Sequence, residues 1–299
     1  MNYTRTRLRE ELMITQIITI HYYEYMSDFT FEGESHDFWE FLCVDKGELE
    51  VTANQEKTIL KKGDIIFHKP NEFHALAANG VIAPNLVVIS FDCDSPPMQF
   101  FEDQILSIGA GERALIAQII AEARSNFSNR LDNPYLEQLT RKESPPFGCE
   151  QMIKIHLEQL LIQLYRNFTL MQKPYPEAND VPDSDRIYAS IMAYFEHQIR
   201  TQLTVDLICR ENLIGVSQLK RLFREKHHTG VIECFIQLKM DYAKQLIRNR
   251  QMNYTQIADY LGYTSVHYFS RQFKKETGMT PTEYSASIKQ LSEGYSPIP

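Results

Sequence analysis

The stretch AKQLIRNRQMNYTQIADYLGYTSVHYFSRQFKKETGMTPTEY, residues 243–284, decides the fold of the C-terminal part of the chain. Four of its apolar residues recur at the i, i+3, i+4, i+7 spacing that marks one face of a short helix. They are Tyr254, Ile257, Ala258 and Leu261. Asn253, followed three residues later by Gln256, is typical of the cap that begins a helix. Gly262 can adopt the positive φ that ends one. The pattern predicts a short helix followed by a tight turn.

A second helix is predicted immediately after this turn. Ser265 caps it, and Tyr268, Phe269 and Phe273 form its buried stripe. The opposite face carries six side chains, most of them polar or basic: Val266, His267, Ser270, Arg271, Lys274 and Lys275. Two short helices joined by a tight turn, the second basic on its outer face, are what a DNA-binding helix-turn-helix requires. We therefore predict that Ser265 and these six side chains face DNA.

The same stretch carries a longer pattern of fixed positions. It consists of Ala243, Leu246, Ile257, Ala258, Gly262, Tyr263, Tyr268, Phe269, Phe273, Lys274, Lys275, Gly278, Thr280, Pro281 and Tyr284. This pattern closely resembles the signature of the AraC/XylS family of transcription regulators. The resemblance implies a DNA-binding domain with two helix-turn-helix motifs, and promoter or operator DNA and RNA polymerase as partners. It also implies a homodimer and an activator that responds to a small-molecule effector, with sugars or other small polar ligands as the leading class.

The first of the two helix-turn-helix motifs is expected within residues 204–226. Thr204 can cap its first helix. The side chains of its second helix that are predicted to face DNA are Ser217, Lys220, Arg221 and Arg224. Leu213 stands at the usual turn-glycine position, and Gly215 stands where Ser265 caps the second motif. A connecting helix over 233–249 would be about 25 Å long. This length permits recognition helices in successive major grooves, which recur every ~34 Å.

The distribution of charge fits a DNA-binding C-terminal part. The whole chain carries a net charge of −8, but residues 184–299 hold 15 lysines and arginines against 11 aspartates and glutamates. Residues 1–183 hold 16 basic and 28 acidic side chains. Because local charge governs phosphate binding, the basic C-terminal part is the expected DNA-binding part. No apolar run reaches the ~20 residues of a membrane span, the N-terminus does not resemble a signal peptide, and five scattered cysteines indicate reduced thiols in a cytoplasmic protein.

The N-terminal part reads as short strands with recurring turn signals. Strand-like runs at 13–25, 38–44, 47–53, 58–60, 64–68 and 86–91 are separated as in an all-β sandwich or barrel. Their spacing resembles a cupin jelly roll, the sensory domain of many AraC-type regulators. We therefore predict an α+β multidomain chain: a cupin-like effector-sensing domain over 1–95, a helical extension over 96–170, a Pro-containing linker over 171–184 and the DNA-binding domain over 185–299. The extension's helices, 111–127 and 149–168, could pair two subunits or simply cover the barrel.

Three polar residues of the cupin-like part are candidates for effector binding. His36, Glu40 and His74 stand near the positions where cupin enzymes hold a metal, and imidazole and carboxylate would suit zinc, iron or manganese. However, Phe38 stands where a second histidine is expected, so we predict no metal and no other cofactor. We predict instead that the three side chains hydrogen-bond a small polar effector. The alternative function is a metal-dependent cupin enzyme fused to a DNA-binding tail, although nothing in the sequence resembles a catalytic set.

Overall fold

The structure is a computed structural model that describes residues 3–170, 183–227 and 229–293. These residues form two compact units, an N-terminal unit of strands and helices and a C-terminal unit of helices. The predicted α+β architecture, with a cupin-like part followed by a helical part, is confirmed. The predicted linker over 171–184 lies outside the described residues except for its last two. None of the helices in the described parts of the chain combines the length and apolar character of a membrane span.

Nine strands build the described part of the N-terminal unit. They are β1 (Gln16–Glu24), β2 (Thr30–Glu34), β3 (Trp39–Lys46), β4 (Glu48–Ala53), β5 (Glu56–Lys61), β6 (Asp64–His68), β7 (His74–Ala78), β8 (Asn85–Asp92) and β9 (Ile105–Ser107). They form an antiparallel five-stranded sheet, in the order β1-β8-β3-β6-β9, and an antiparallel four-stranded sheet, in the order β2-β7-β4-β5. Most of the predicted strand runs match these elements. β2, β7 and β9 were not predicted. In β2 and β7, glycine, charged residues and alanine have low strand propensity, and β9 is a strand of three residues within the stretch predicted as a helical extension.

Side chains on the two faces of β3 pack into two different hydrophobic clusters. Leu42 and Val44 point into the cluster between the two sheets, together with residues such as Leu49 and Leu86. Phe41 and Cys43 point the other way, into a larger cluster that includes the apolar faces of two helices. Because side chains alternate along a strand, Glu40 shares the side of Leu42 and lies within the unit. It is buried there.

The helices of the N-terminal unit cover the five-stranded sheet. They are α1 (Ala110–Asn126) and α2 (Cys149–Leu170), which pack on each other. The buried residues of α2 are Ile153, Leu157, Leu160, Leu161 and Leu164. The buried face of α2 therefore covers the barrel, which is one of the two roles predicted for these helices. Met152, Ile155 and Tyr165 lie on the exposed side.

Seven helices form the described part of the C-terminal unit. They are α3 (Asp183–His197), α4 (Val205–Glu211), α5 (Val216–His227), α6 (Val231–Asn249), α7 (Tyr254–Tyr260), α8 (Val266–Thr277) and α9 (Pro281–Glu293). The pairs α4–α5 and α7–α8 are the two helix-turn-helix motifs, and α6 connects them. Helix α6 is 19 residues long instead of the predicted 17.

Candidate functional site

A cavity of about 700 Å³ lies in the N-terminal unit and has one polar end. Strands β1, β2, β3, β7 and β8 line it, and a loop that contains Pro134 and Glu137 closes another side. Aromatic side chains form much of the wall: Tyr23, Tyr25, Phe29, Phe31 and Phe38. The polar end contains all three residues that were predicted to bind an effector, His36, Glu40 and His74. The structure therefore brings these three side chains together.

Glu40 is the buried acid at the centre of this polar end. It lies on β3, between β6 and β8, and pairs with His68 on one side and Ser90 on the other. The Ser90 hydroxyl donates a hydrogen bond to Oε2 of Glu40 at 2.7 Å. Burial alone would raise the pKa of Glu40, but His74, His36 and the Ser90 hydroxyl favour the carboxylate and hold its pKa well below its usual range. Glu40 is therefore a carboxylate at neutral pH.

The two histidines are held with one ring nitrogen facing Glu40. Nδ1 of His36 lies 3.0 Å from the carbonyl oxygen of Phe38, and Nδ1 of His74 lies 3.2 Å from that of Glu72. A carbonyl only accepts, so each ring donates from Nδ1 and a neutral ring keeps its lone pair on Nε2. Nε2 of His36 lies 3.7 Å and Nε2 of His74 lies 3.5 Å from the Glu40 carboxylate. Within the described residues, neither of these buried Nε2 atoms has a hydrogen-bond partner.

Glu34 is a fourth member of this cluster and was not predicted from the sequence. Its Oε1 lies 3.9 Å from Nε2 of His74, and the two residues pair across β2 and β7. The preceding Gly33 has φ +110°. A Cβ on this residue would lie 2.4 Å from the Phe73 ring and 2.8 Å from the carbonyl oxygen of His74, the first residue of β7. The register of β2 against β7 shifts between Phe31 and Glu34. Such a bulge re-aims the side chain that follows it.

Phe38 stands where the cupin pattern has a second histidine, and its side chain offers no ligand atom. Phe38 does not point at the cluster as a substitute ligand; its ring stacks on His36 with centroids 3.9 Å apart. Glu34, His36 and His74 bring one ligand atom each to within 4.8 Å of one another. Glu34 and His36 are two residues apart, which puts them on one side of an extended chain. That spacing is the signal that could have found Glu34.

The second helix-turn-helix presents the predicted DNA-facing surface. His267, Arg271, Lys274 and Lys275 of α8 are exposed, and Val266 and Ser270 are half-buried. The hydroxyl of Ser265 accepts the backbone N–H of Tyr268 at 3.2 Å, so it caps the helix as predicted. Tyr268 was assigned to the buried stripe, and that was wrong. It is 44% exposed, while Phe269 and Phe273 are the buried residues of this helix.

The first helix-turn-helix presents a matching surface. Ser217, Lys220, Arg221 and Arg224 are all exposed on one face of α5, while Leu219, Leu222 and Phe223 are buried. Thr204 caps α4 by accepting the backbone N–H of Leu207 at 3.3 Å. Leu213 occupies the turn with a positive φ of 51°, in the left-handed region that the second motif fills with Gly262 at +72°. Both motifs therefore share one backbone design.

Comparisons with known proteins match both parts of the chain. A family model described as a helix-turn-helix domain matches residues 208–287, and one described as a cupin domain matches residues 22–89. Relatives include the HTH-type transcriptional activator RhaR of Yersinia pseudotuberculosis serotype O:3, 24% identical, covering 85% of this chain and 84% of the relative. The RhaR of Shigella dysenteriae serotype 1 is 22% identical, and the match covers 85% of this chain and 86% of that relative.

Solved structures of two proteins are also similar to the chain. One is a transcriptional regulator of Chromobacterium violaceum with an AraC-type DNA-binding domain, 25% identical, covering 36% of this chain and 96% of that one, with a TM-score of 0.34. The other is ToxT of Vibrio cholerae, 16% identical, covering 91% of this chain and 97% of that one, with a TM-score of 0.35. The cupin match, the helix-turn-helix match and the full-length relatives agree with the sequence signature, and the chain is a DNA-binding transcription regulator of the AraC family with an N-terminal cupin domain.

Proposed function

We propose that the protein is an activator that responds to a small polar effector, most simply a sugar, bound in the cavity of the N-terminal unit. The observation that carries this proposal is the cavity itself. It offers about 700 Å³ with a carboxylate and two imidazoles at one end and aromatic walls around the rest. Ligand sites are concave and largely apolar with a few polar groups that fix orientation. The relatives named as transcriptional activators support the mode of action.

The polar end suits a ligand that carries several hydroxyl groups. Glu40 accepts hydrogen bonds at neutral pH, and Nε2 of His36 and His74 is a further polar atom without a hydrogen-bond partner among the described residues. A sugar hydroxyl can donate to the Glu40 carboxylate and can donate to or accept from the imidazole nitrogens, while the C–H faces of the sugar pack against rings such as Tyr23 and Tyr25. A site built to pair polar groups rejects analogues that lack them. We therefore propose His36, Glu40 and His74 as the residues that select the effector.

The effector test begins with thermal unfolding of the full chain against a panel of sugars and sugar acids. A hit is then measured by calorimetry on the wild type and on Glu40→Gln and His74→Ala. We expect both substitutions to abolish binding, and Glu50→Gln on the exposed side of β4 to leave it intact. Effector should change operator affinity of the wild type by roughly 5–150-fold, the usual range of allosteric coupling. Unchanged effector binding in both cavity variants would exclude this site.

We also propose that the domain limits are those predicted from the sequence. We propose a homodimer that contacts RNA polymerase in the cytoplasm. Met152, Ile155 and Tyr165 support a paired α2, because these apolar side chains lie on its exposed side. Sedimentation of the wild type beside Ile155→Asp tests the dimer. Limited proteolysis within 171–184 should release a C-terminal fragment that still binds operator DNA, more weakly than the whole chain because linked sites raise avidity.

The alternative enzyme gains no support. The relatives are transcription regulators along most of the chain. The side chains at the polar end of the cavity are acids, imidazoles and one serine. The hydroxyl of that serine donates its proton to Glu40 in a hydrogen bond. We propose that the protein is not an enzyme.

A further inference from the structure

The α1–α2 loop, residues 128–142, forms one wall of the cavity although it belongs to the helical part of the N-terminal unit. Residues 134–137 line the cavity from this loop, and Leu136 among them is buried. Strand β1 is an edge of the five-stranded sheet. The backbone N–H of Tyr22 on β1 donates to the carbonyl oxygen of Leu131 in the loop at 2.9 Å. The loop is therefore docked on the strand beside which it closes the cavity.

His21 holds the loop on the cavity side. It lines the cavity from β1, and its ring stacks on that of Tyr23 with centroids 4.7 Å apart. Nδ1 of His21 lies 3.3 Å from the carbonyl oxygen of Leu131, the same oxygen that accepts from Tyr22. Burial lowers the pKa of His21 to about 4, so the ring is neutral at physiological pH. Since a carbonyl only accepts, Nδ1 carries the proton and donates a hydrogen bond to the loop.

Arg141 and Glu150 hold the other end of the loop on α2. The two ends of the loop meet in a short antiparallel pairing, in which the N–H of Ser128 donates to the carbonyl oxygen of Thr140 at 2.9 Å. The guanidinium of Arg141 donates two hydrogen bonds to the Glu150 carboxylate, at 2.5 and 3.1 Å. The side-chain amide of Asn126, at the end of α1, donates to the same carboxylate at 3.2 Å. Glu150 lies in the first turn of α2, so a displacement of the loop acts directly on this helix.

The loop has few buried contacts of its own. Leu131 and Leu136 are its buried residues, and the others are exposed or half-buried. Segments with few buried contacts and exposed hydrogen bonds open more readily than the core. A ligand shifts such a segment only through different affinities for its two arrangements. An effector that contacts residues 134–137 makes these contacts only with the docked loop, so it favours that arrangement.

We propose that the α1–α2 loop carries the state of the cavity to helix α2, with His21 and Arg141 as its two points of attachment. This inference rests on the proposed function, in which the effector binds in this cavity. The docked loop fixes the first turns of α2 through Glu150. Met152 and Ile155, on the exposed side of the same turns, belong to the face proposed to pair two subunits. Effector binding therefore acts on this face.

Hydrogen–deuterium exchange of the full-length chain, without effector or DNA, measures the coupling. His21→Phe keeps an aromatic ring beside Tyr23 but cannot donate to Leu131. We expect the hydrogen-bonded amides of residues 128–142 to exchange roughly 2–10-fold faster, as the loss of one hydrogen bond implies, and exchange of residues 152–155 in α2 to rise with it. His21→Asn, whose side-chain amide can still donate to Leu131, should stay close to the wild type. Because no effector is present, the result is independent of the sugar panel that tests the proposed function.

The reverse direction uses a surface variant whose folding is not at risk. Arg141 is exposed, and Arg141→Met removes its two hydrogen bonds to Glu150. Coupling between two sites is reciprocal. Arg141→Met should therefore also speed exchange of the Tyr22 amide on β1, which reports whether the loop is docked. An unchanged Tyr22 amide would contradict the link.

A double variant and a matched control decide the route. In the Arg141→Met background, His21→Phe should no longer change exchange of residues 152–155, because the link to α2 is gone. Arg130 pairs with Asp132 inside the same loop, at 3.0 and 2.6 Å, so Arg130→Met should leave residues 152–155 unchanged. Circular dichroism checks the fold of each variant. An effect of His21→Phe that stays within the loop, or that reaches α2 equally in both backgrounds, would overturn the proposal.

Discussion

The side-chain ammonium of Lys239 donates a hydrogen bond to the carbonyl oxygen of Leu261 at 2.7 Å, and a second one to that of Thr201 at 2.5 Å. Lys239 lies on the connecting helix α6, Leu261 ends α7 of the second helix-turn-helix, and Thr201 precedes the first. The lysine is 4% exposed and also lies 5.0 Å from the ring of Phe235 and 5.3 Å from that of Tyr263. One buried cation therefore ties both DNA-binding motifs to their connector.

Replacing Lys239 should weaken the packing of the two helix-turn-helix motifs on α6. Lys239→Met keeps the length of the side chain but leaves two carbonyl oxygens without their donor. An unsatisfied buried acceptor costs about 1–3 kcal/mol, so we expect a loss of that order in urea unfolding. Lys220→Met, at an exposed position of α5, serves as the control and should leave stability unchanged. Equal stability of Lys239→Met and the wild type would mean that the junction does not depend on the ammonium.

The same lysine should make stability depend on alkaline pH. Burial lowers the pKa of Lys239 from its usual value of 10.5 to about 8. Between these two values the unfolded chain binds more protons than the folded one, so stability rises with pH in this window. The stability of the wild type relative to Lys239→Met should therefore increase from pH 8 towards pH 10.5, by up to about 3 kcal/mol. Denaturant unfolding of both proteins at pH 7.5 and 9.5 measures the difference, and a decrease would contradict it.

Gly262 is required by a close backbone approach as well as by its φ. A Cβ built on this residue would lie 2.2 Å from the carbonyl oxygen of Arg200. The guanidinium of Arg200 in turn lies 4.2 Å from the ring of Tyr260, so the two segments are packed together. Gly262→Ala should therefore cost about 2–4 kcal/mol, as strain at a special backbone position does. Gly111→Ala in α1, where a Cβ meets nothing within 4 Å, is the control and should be neutral or stabilising. A neutral Gly262→Ala would show that the turn can move.

The patterns that were predicted well are local ones. Helices α7 and α8 follow from capping residues and from apolar spacing over a single helix face, and neither depends on distant parts of the chain. Tyr268 was misassigned because adjacent aromatic residues widened the apparent stripe, whereas α8 packs through Phe269 and Phe273. The position of Glu34 depends on a bulge in the pairing of β2 with β7, and those strands are joined across some forty residues. A sequence read in order does not reveal such a pairing.

The turn of the first motif carries strain that a substitution should relieve. Leu213 adopts φ 51° although a leucine in this region costs roughly 1–2 kcal/mol. Its side chain is 96% exposed, so no packing is lost when it is replaced. Leu213→Asn should stabilise the C-terminal unit by about 0.5–1 kcal/mol, because asparagine tolerates the left-handed region. Thermal unfolding measures this, with Val216→Asn, at an exposed position of ordinary helical backbone, as the control. A destabilised Leu213→Asn would indicate that the leucine has a partner in the folded protein.

Arg271 and Lys275 should affect DNA binding in different ways, although both are exposed on α8. An arginine that faces the groove can bind guanine through two hydrogen bonds, worth about 1–3 kcal/mol of discrimination against the wrong base. A lysine near the end of the helix meets phosphate, which carries no sequence information. Arg271→Ala should therefore relax specificity at one or two base pairs. Lys275→Ala should weaken all sequences similarly and reduce the dependence of log affinity on log salt by about one ion. Both variants are measured against a randomised operator library at several salt concentrations. A library profile of Arg271→Ala that matches the wild type, with a reduced salt slope, would assign Arg271 to phosphate instead.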